Sequence, residues 1–122
     1  MRDEQGKKWK HELDKNIFRV LYYTMGDSNV GVRENKVENY LDERVRQIGG
    51  LTRKWISTNQ VGVPDRIVIV EGDIWFVEVK TADGKLSPMQ VREHQRLRDV
   101  GARVTTVYGT NGVDKFIEEL TC

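Results

Sequence analysis

Apolar positions along the chain follow two rhythms. From Glu4 to Tyr23, Trp9, Leu13, Ile17, Val20 and Leu21 recur at spacings of three and four, and Phe18 and Tyr22 widen the stripe. That spacing predicts an amphipathic helix, with Lys7, Lys8, Lys10 and Lys15 mostly off the apolar face. Gly26-Asp27-Ser28-Asn29, prolonged by Gly31, breaks it. A second helix is predicted from about Glu34 to Ile48, burying Val37, Leu41, Val45 and Ile48 and closed by Gly49-Gly50. Glu34 and Glu38 lie on one flank of that stripe, and Arg44 and Arg46 on the other.

The rhythm then shortens. Leu51–Ser57 reads as a strand. Arg66–Val70 and Ile74–Val79 are rich in Val, Ile and aromatics, and Glu71-Gly72-Asp73 between them supplies turn chemistry. An antiparallel hairpin follows. Ser87 opens another helix, with Pro88 at its first position and Gln90 at its third, running through Asp99 to a stop at Gly101. Arg103–Tyr108 is a further strand, Gly109-Thr110-Asn111-Gly112 a turn, and Val113–Leu120 a closing helix. A helix between the third and fourth strands favours a parallel pairing there. The expected fold is α/β, a mixed sheet with helices on its faces.

Composition narrows the class. The 122 residues suit one domain with a modest core, and 38% hydrophobic with 32% charged residues suits an ordered, soluble chain. No apolar run has membrane-spanning length, so no membrane partner is expected, and no secretory signal pattern opens the sequence. The single cysteine, Cys122, has no intrachain partner, which fits a reducing compartment. A net charge of +1 is not the strongly basic signature of a DNA-coating protein.

The hairpin carries the candidate chemistry. Residues two apart on a strand share a face, so Glu78 and Lys80 point one way and Val79 into the other layer. The start of the first strand lies beside the end of the second, which brings Asp65 toward both. Two carboxylates beside an ammonium suit a divalent cation. His11 and His94 lack Cys or His partners at metal spacing, so neither reads as a zinc ligand.

Gly-Val-Pro-Asp-Arg-Ile at residues 62–67, Phe-Val-Glu-Val-Lys at 76–80 and Gly-Lys-Leu-Ser-Pro-Met-Gln at 84–90 together resemble the VRR-NUC family. This is the virus-type replication-repair nuclease domain of the PD-(D/E)XK superfamily, with Pro64, Asp65, Glu78, Val79 and Lys80 as the signature. The resemblance spans roughly Val37 to Val107. It implies a restriction-endonuclease-like core over residues 31–122 and an added helical extension over 1–30. It also implies metal-dependent DNA endonuclease activity with Mg²⁺ or Mn²⁺ as cofactor. Asp65, Glu78 and the Val79 carbonyl would hold the metal, and Glu38 would complete the metal or water shell, with Glu34 as its alternative. Lys80 would orient or deprotonate the attacking water.

Gln90 has two readings. Ser-x-x-Gln is a capping box, whereas the resemblance places Gln90 at the site, and the two roles compete for one side chain. Arg53, Lys54, Lys85, Arg92 and Arg96 are candidate phosphate contacts. Small viral members of the family resemble junction resolvases. Branched DNA, a homodimer formed through the N-terminal helix, a role in DNA repair and the cytoplasm of a bacterial host are the corresponding expectations. A nuclease for flap or nicked DNA, or a non-catalytic DNA-binding module of the same fold, is the alternative.

Overall fold

The computed structural model describes residues 30–122, with side chains from Glu34 onward. Its elements in order are helix α1 (Val30–Gln47), strands β1 (Leu51–Lys54), β2 (Arg66–Val70) and β3 (Asp73–Lys80), helix α2 (Pro88–Asp99), strand β4 (Val104–Tyr108) and helix α3 (Gly109–Thr121). The helix expected over Glu4–Tyr23, His11 and all of the extension over 1–30 except Val30 lie outside the described residues.

The four strands form one sheet in the order β1-β2-β3-β4. β1 with β2, and β2 with β3, are antiparallel, whereas β3 and β4 are parallel. This is the mixed α/β sheet that the element order implies. In the hairpin Val70 pairs with Asp73, so Glu71 and Gly72 alone make the turn and Asp73 already belongs to β3.

The sheet's two faces differ. Val68, Val70, Val77, Val79 and Val107 are buried with Val37, Tyr40, Leu41 and Val45 of α1 and Val113, Phe116 and Ile117 of α3. Burying each such side chain contributes roughly 1.5–3 kcal/mol. This face holds the core. The opposite face carries Phe76, Glu78 and Lys80, and α2 meets it through contacts to Glu78. Trp55 packs there on Phe76 with ring centroids 5.2 Å apart. Among the described residues no helix is long and apolar enough to cross a membrane.

Three boundaries differ from the sequence expectation by three residues or more. α1 starts at Val30, so Gly31 lies inside a helix rather than a break. A lone glycine disfavours a helix by only about 1 kcal/mol relative to alanine. β1 ends at Lys54, not Ser57. The Trp55 N–H still donates to the Asp65 carbonyl at 3.0 Å, but the next partner in register would be Pro64, which has no N–H to give. α3 begins at Gly109, where a turn was expected. Gly112 explains this, because a Cβ there would sit 3.2 Å from the Val107 carbonyl carbon. The glycine allows α3 to start directly against β4 rather than turning the chain.

Arg44, on the flank of the α1 stripe, is 2% exposed. α3 covers that side of α1, and Asp114 on α3 accepts from the Arg44 guanidinium at 2.5 Å and from the Tyr40 hydroxyl at 2.6 Å. Burial and the Asp114 hydrogen bond push the Tyr40 hydroxyl pKa up.

Candidate active site

The hairpin register places the site. Arg66 pairs with Val77, so Asp65 lies beside Glu78. The Val79 N–H donates to Asp65 Oδ2 at 2.8 Å, fixing that carboxylate across the two strands. Glu78 and Lys80 share the face opposite the core, and Lys80 Nζ stands 3.7 Å from Glu78 Oε2. Val79 between them is buried in the core.

Glu78 is 2% exposed. Burial raises its pKa to about 8, reinforced by the charge of and hydrogen bonding to Asp65, while Lys80 opposes the shift. Its Oε2 accepts from Gln90 Nε2 at 3.1 Å, but its buried Oε1 has no hydrogen-bond partner. An orphaned oxygen on a buried carboxylate, held beside a second carboxylate, is a strained arrangement that an added cation relieves.

Gln90 makes the capping box and at the same time reaches the carboxylate of Glu78. Ser87 caps α2 by accepting from the Gln90 N–H at 3.1 Å, and Gln90 Oε1 accepts from the Ser87 N–H at 2.9 Å. The same amide donates its Nε2 to Glu78. The expected competition does not occur, because an amide has a separate acceptor and donor end. The capping box orients the side chain that holds the carboxylate.

Glu38 reaches inward from α1 as the sequence reading allowed. Its Oε2 lies 3.2 Å from Arg66 Nη2, and its pKa is raised by burial, with Arg66 opposing and Asp65 adding to the shift. Arg66 also donates to both oxygens of Asp42, at 3.1 and 3.0 Å. Glu38 is therefore a neighbour of Asp65 already engaged by a guanidinium. Among the described residues no three His, Cys, Asp or Glu side chains converge as a closed metal cage. The convergent groups are Asp65, Glu78, Lys80 and Gln90.

No family model matches the chain. It is 45% identical over 74 residues to a protein named "Putative nuclease p44" from Acyrthosiphon pisum secondary endosymbiont phage 1, spanning 60% of this chain and 80% of that one. A solved chain described as "VRR_NUC domain" superposes with a TM-score of 0.66 at 45% identity, over 70% of this chain and 95% of that one. This chain belongs to the VRR-NUC family.

Around the VRR-NUC hairpin, the candidate phosphate contacts separate into two groups. Arg53, Lys54, Lys85 and Arg92 are exposed, and Lys54 is close enough to Glu38 to influence its ionisation. Arg53 donates to its neighbour's carbonyl, Thr52 O, at 2.7 Å. Arg96 is ion-paired to Glu93 at 3.2 Å and so offers less free charge.

Sequence reasoning missed Arg66, which ties Glu38 and Asp42 of α1 to the hairpin, and His94. The imidazole of His94 is fully buried, with Nε2 3.5 Å from Glu78 Oε1. Burial and nearby Arg98 lower its pKa, with Asp65, Glu93 and the Gly62 backbone opposing. A signal existed: His94 lies four residues after Gln90, on the same face of a helix.

Proposed function

We propose that this VRR-NUC chain is a nuclease that hydrolyses phosphodiester bonds of DNA with Mg²⁺ or Mn²⁺. The observation that carries the reading is the Asp65–Glu78 carboxylate pair, in which Glu78 Oε2 faces Lys80 and Gln90 while Oε1 is buried and unpartnered. The donor set fits the ion. Mg²⁺ prefers hard oxygen ligands and commonly uses one or two carboxylates together with water and phosphate oxygens. Asp65 and Glu78 would hold it, with the Val79 carbonyl beside them and Glu38 in the surrounding shell.

A bound ion would polarise the scissile phosphate and activate water. The chain's own groups do the rest. The Val79 N–H aims the Asp65 carboxylate, and Gln90 aims that of Glu78. Lys80 brings a positive charge beside the carboxylates, where it can orient the attacking water and stabilise charge developing on the phosphate. Arg53, Lys54, Lys85 and Arg92 would steer the DNA backbone.

The finer reading is a homodimer acting on branched DNA in the cytoplasm of a bacterial host. Support comes from the amphipathic pattern over residues 4–23 and from the phage source of the relative. Labelled linear, nicked, flap and four-way-junction DNAs, offered to metal-stripped protein with Mg²⁺, Mn²⁺ or EDTA, test the reading. Cleavage should require added metal and be fastest on the junction. Undiminished cleavage in EDTA would remove the metal mechanism. A junction cut no faster than linear duplex, by a protein monomeric at tens of micromolar in light scattering, would remove the finer reading.

A further inference from the structure

The geometry points to His94 as a positioning residue that holds the free oxygen of Glu78 and ties it to the loop carrying Asp65. The inference rests on the metal-site reading above and adds a residue to it. Gln90 and His94 lie one turn apart on α2 and address the two oxygens of the same carboxylate. Gln90 Nε2 reaches Oε2 at 3.1 Å, and His94 Nε2 faces Oε1 at 3.5 Å. The imidazole is fully buried, and neither ring nitrogen completes a hydrogen bond, nor does Glu78 Oε1. Three buried polar atoms without partners, two of them facing each other across 3.5 Å, describe a hydrogen bond that a small adjustment completes.

The ring also neighbours the backbone of Gly62. Gly62 has φ 93°, and a Cβ there would lie 2.6 Å from the Met89 carbonyl oxygen. The loop leading to Pro64-Asp65 therefore presses on the first turn of α2, with His94 inside the junction. Each carboxylate oxygen has two lone pairs, so Gln90 and His94 can hold Glu78 and still leave sites for a cation. Partners behind metal ligands set ligand orientation, and losing one typically weakens metal binding about 10–100-fold.

The test is Mn²⁺ binding to the DNA-free protein, followed by electron paramagnetic resonance, together with thermal unfolding. His94→Leu and His94→Phe fill the space without a polar group, and His94→Gln restores one. Wild type should bind Mn²⁺, and Glu78→Gln should lose binding. The apolar variants should bind about tenfold or more weakly at intact fold, with His94→Gln recovering most of the loss. Whichever apolar variant stays folded carries the comparison. Wild-type affinity in a folded apolar variant overturns the inference and leaves the metal site standing. So does an equal loss in all three His94 variants, which marks a purely packing role. Absence of Mn²⁺ binding by wild type overturns both.

Discussion

Two buried polar clusters sit on opposite faces of the same sheet, and they are satisfied differently. Between α1 and α3, the Arg44 and Asp114 side chains are 3% and 7% exposed. Their charges meet directly, Tyr40 adds its hydroxyl, and only Arg44 Nε lacks a partner. Beneath α2, the Glu78 and His94 side chains are 3% and 0% exposed. There an acid oxygen and both imidazole nitrogens lack partners. Burial is equal, so burial does not separate them. In the first cluster the chain's own groups pair the opposite charges, leaving one guanidinium N–H over. The second stores an electrostatic deficit of the kind that functional sites retain at the expense of stability.

Removing the carboxylate charge breaks the comparison most sharply. Glu78→Gln, nearly isosteric and neutral, should lower metal-dependent cleavage by at least about a thousandfold. Its melting temperature without metal should equal or exceed that of wild type. Asp65→Ala and Lys80→Ala should be comparably inactive. A Glu78→Gln protein that cleaves at the wild-type rate would place the chemistry elsewhere.

Asp114→Ala should do the reverse. Stranding buried Arg44 should destabilise the fold by about 3–5 kcal/mol, readable in urea unfolding, while cleavage per folded molecule stays near wild type. An unchanged urea midpoint would show that the pair is not needed.

The two clusters should also separate by pH. Burial raises the Glu78 pKa to about 8. The folded protein therefore holds a proton that the unfolded chain releases at a lower pH. Stability from this group is greatest below the ordinary carboxylate range and falls as pH rises toward 8, by roughly a few kcal/mol in total. Glu78→Gln should flatten that slope in metal-free unfolding measurements. Mg²⁺ should oppose the loss in wild type alone. A wild-type slope no steeper than that of the variant would show that Glu78 ionises freely.

A smaller effect should come from Gln90→Glu. It keeps the oxygen that completes the capping box but replaces the donor to Glu78 with a like charge. Helix stability should change by under about 1 kcal/mol. Cleavage should fall about tenfold, as for loss of a supporting partner behind a ligand. Equal losses of stability and activity would reduce Gln90 to a cap. Smallest is the DNA surface. Arg92→Ala should lower the salt slope of duplex binding by roughly 0.9, whereas Arg96→Ala should lower it less, because Glu93 already holds Arg96.

The sequence alone determined the hairpin, the shared face of Glu78 and Lys80, the proximity of Asp65, the parallel β3–β4 pairing and the cap of α2. Each follows from a local rule: period two on strands, turn chemistry between apolar runs, a crossover helix, Ser-x-x-Gln before a helix. Tertiary structure alone decided which helix side chains are buried and what they meet. Spacing places Arg44 only on a flank of the α1 stripe, and α3 decides that it is buried against Asp114, while Glu38 meets Arg66 only through the α1–sheet packing. Gln90 could serve two partners only because α2 docks with its first turn over Glu78. His94 had a local pattern but no local partner, since Glu78 lies sixteen residues earlier on another element. Side-chain spacing specifies a face, and only the packing of that face against a distant segment specifies its chemistry.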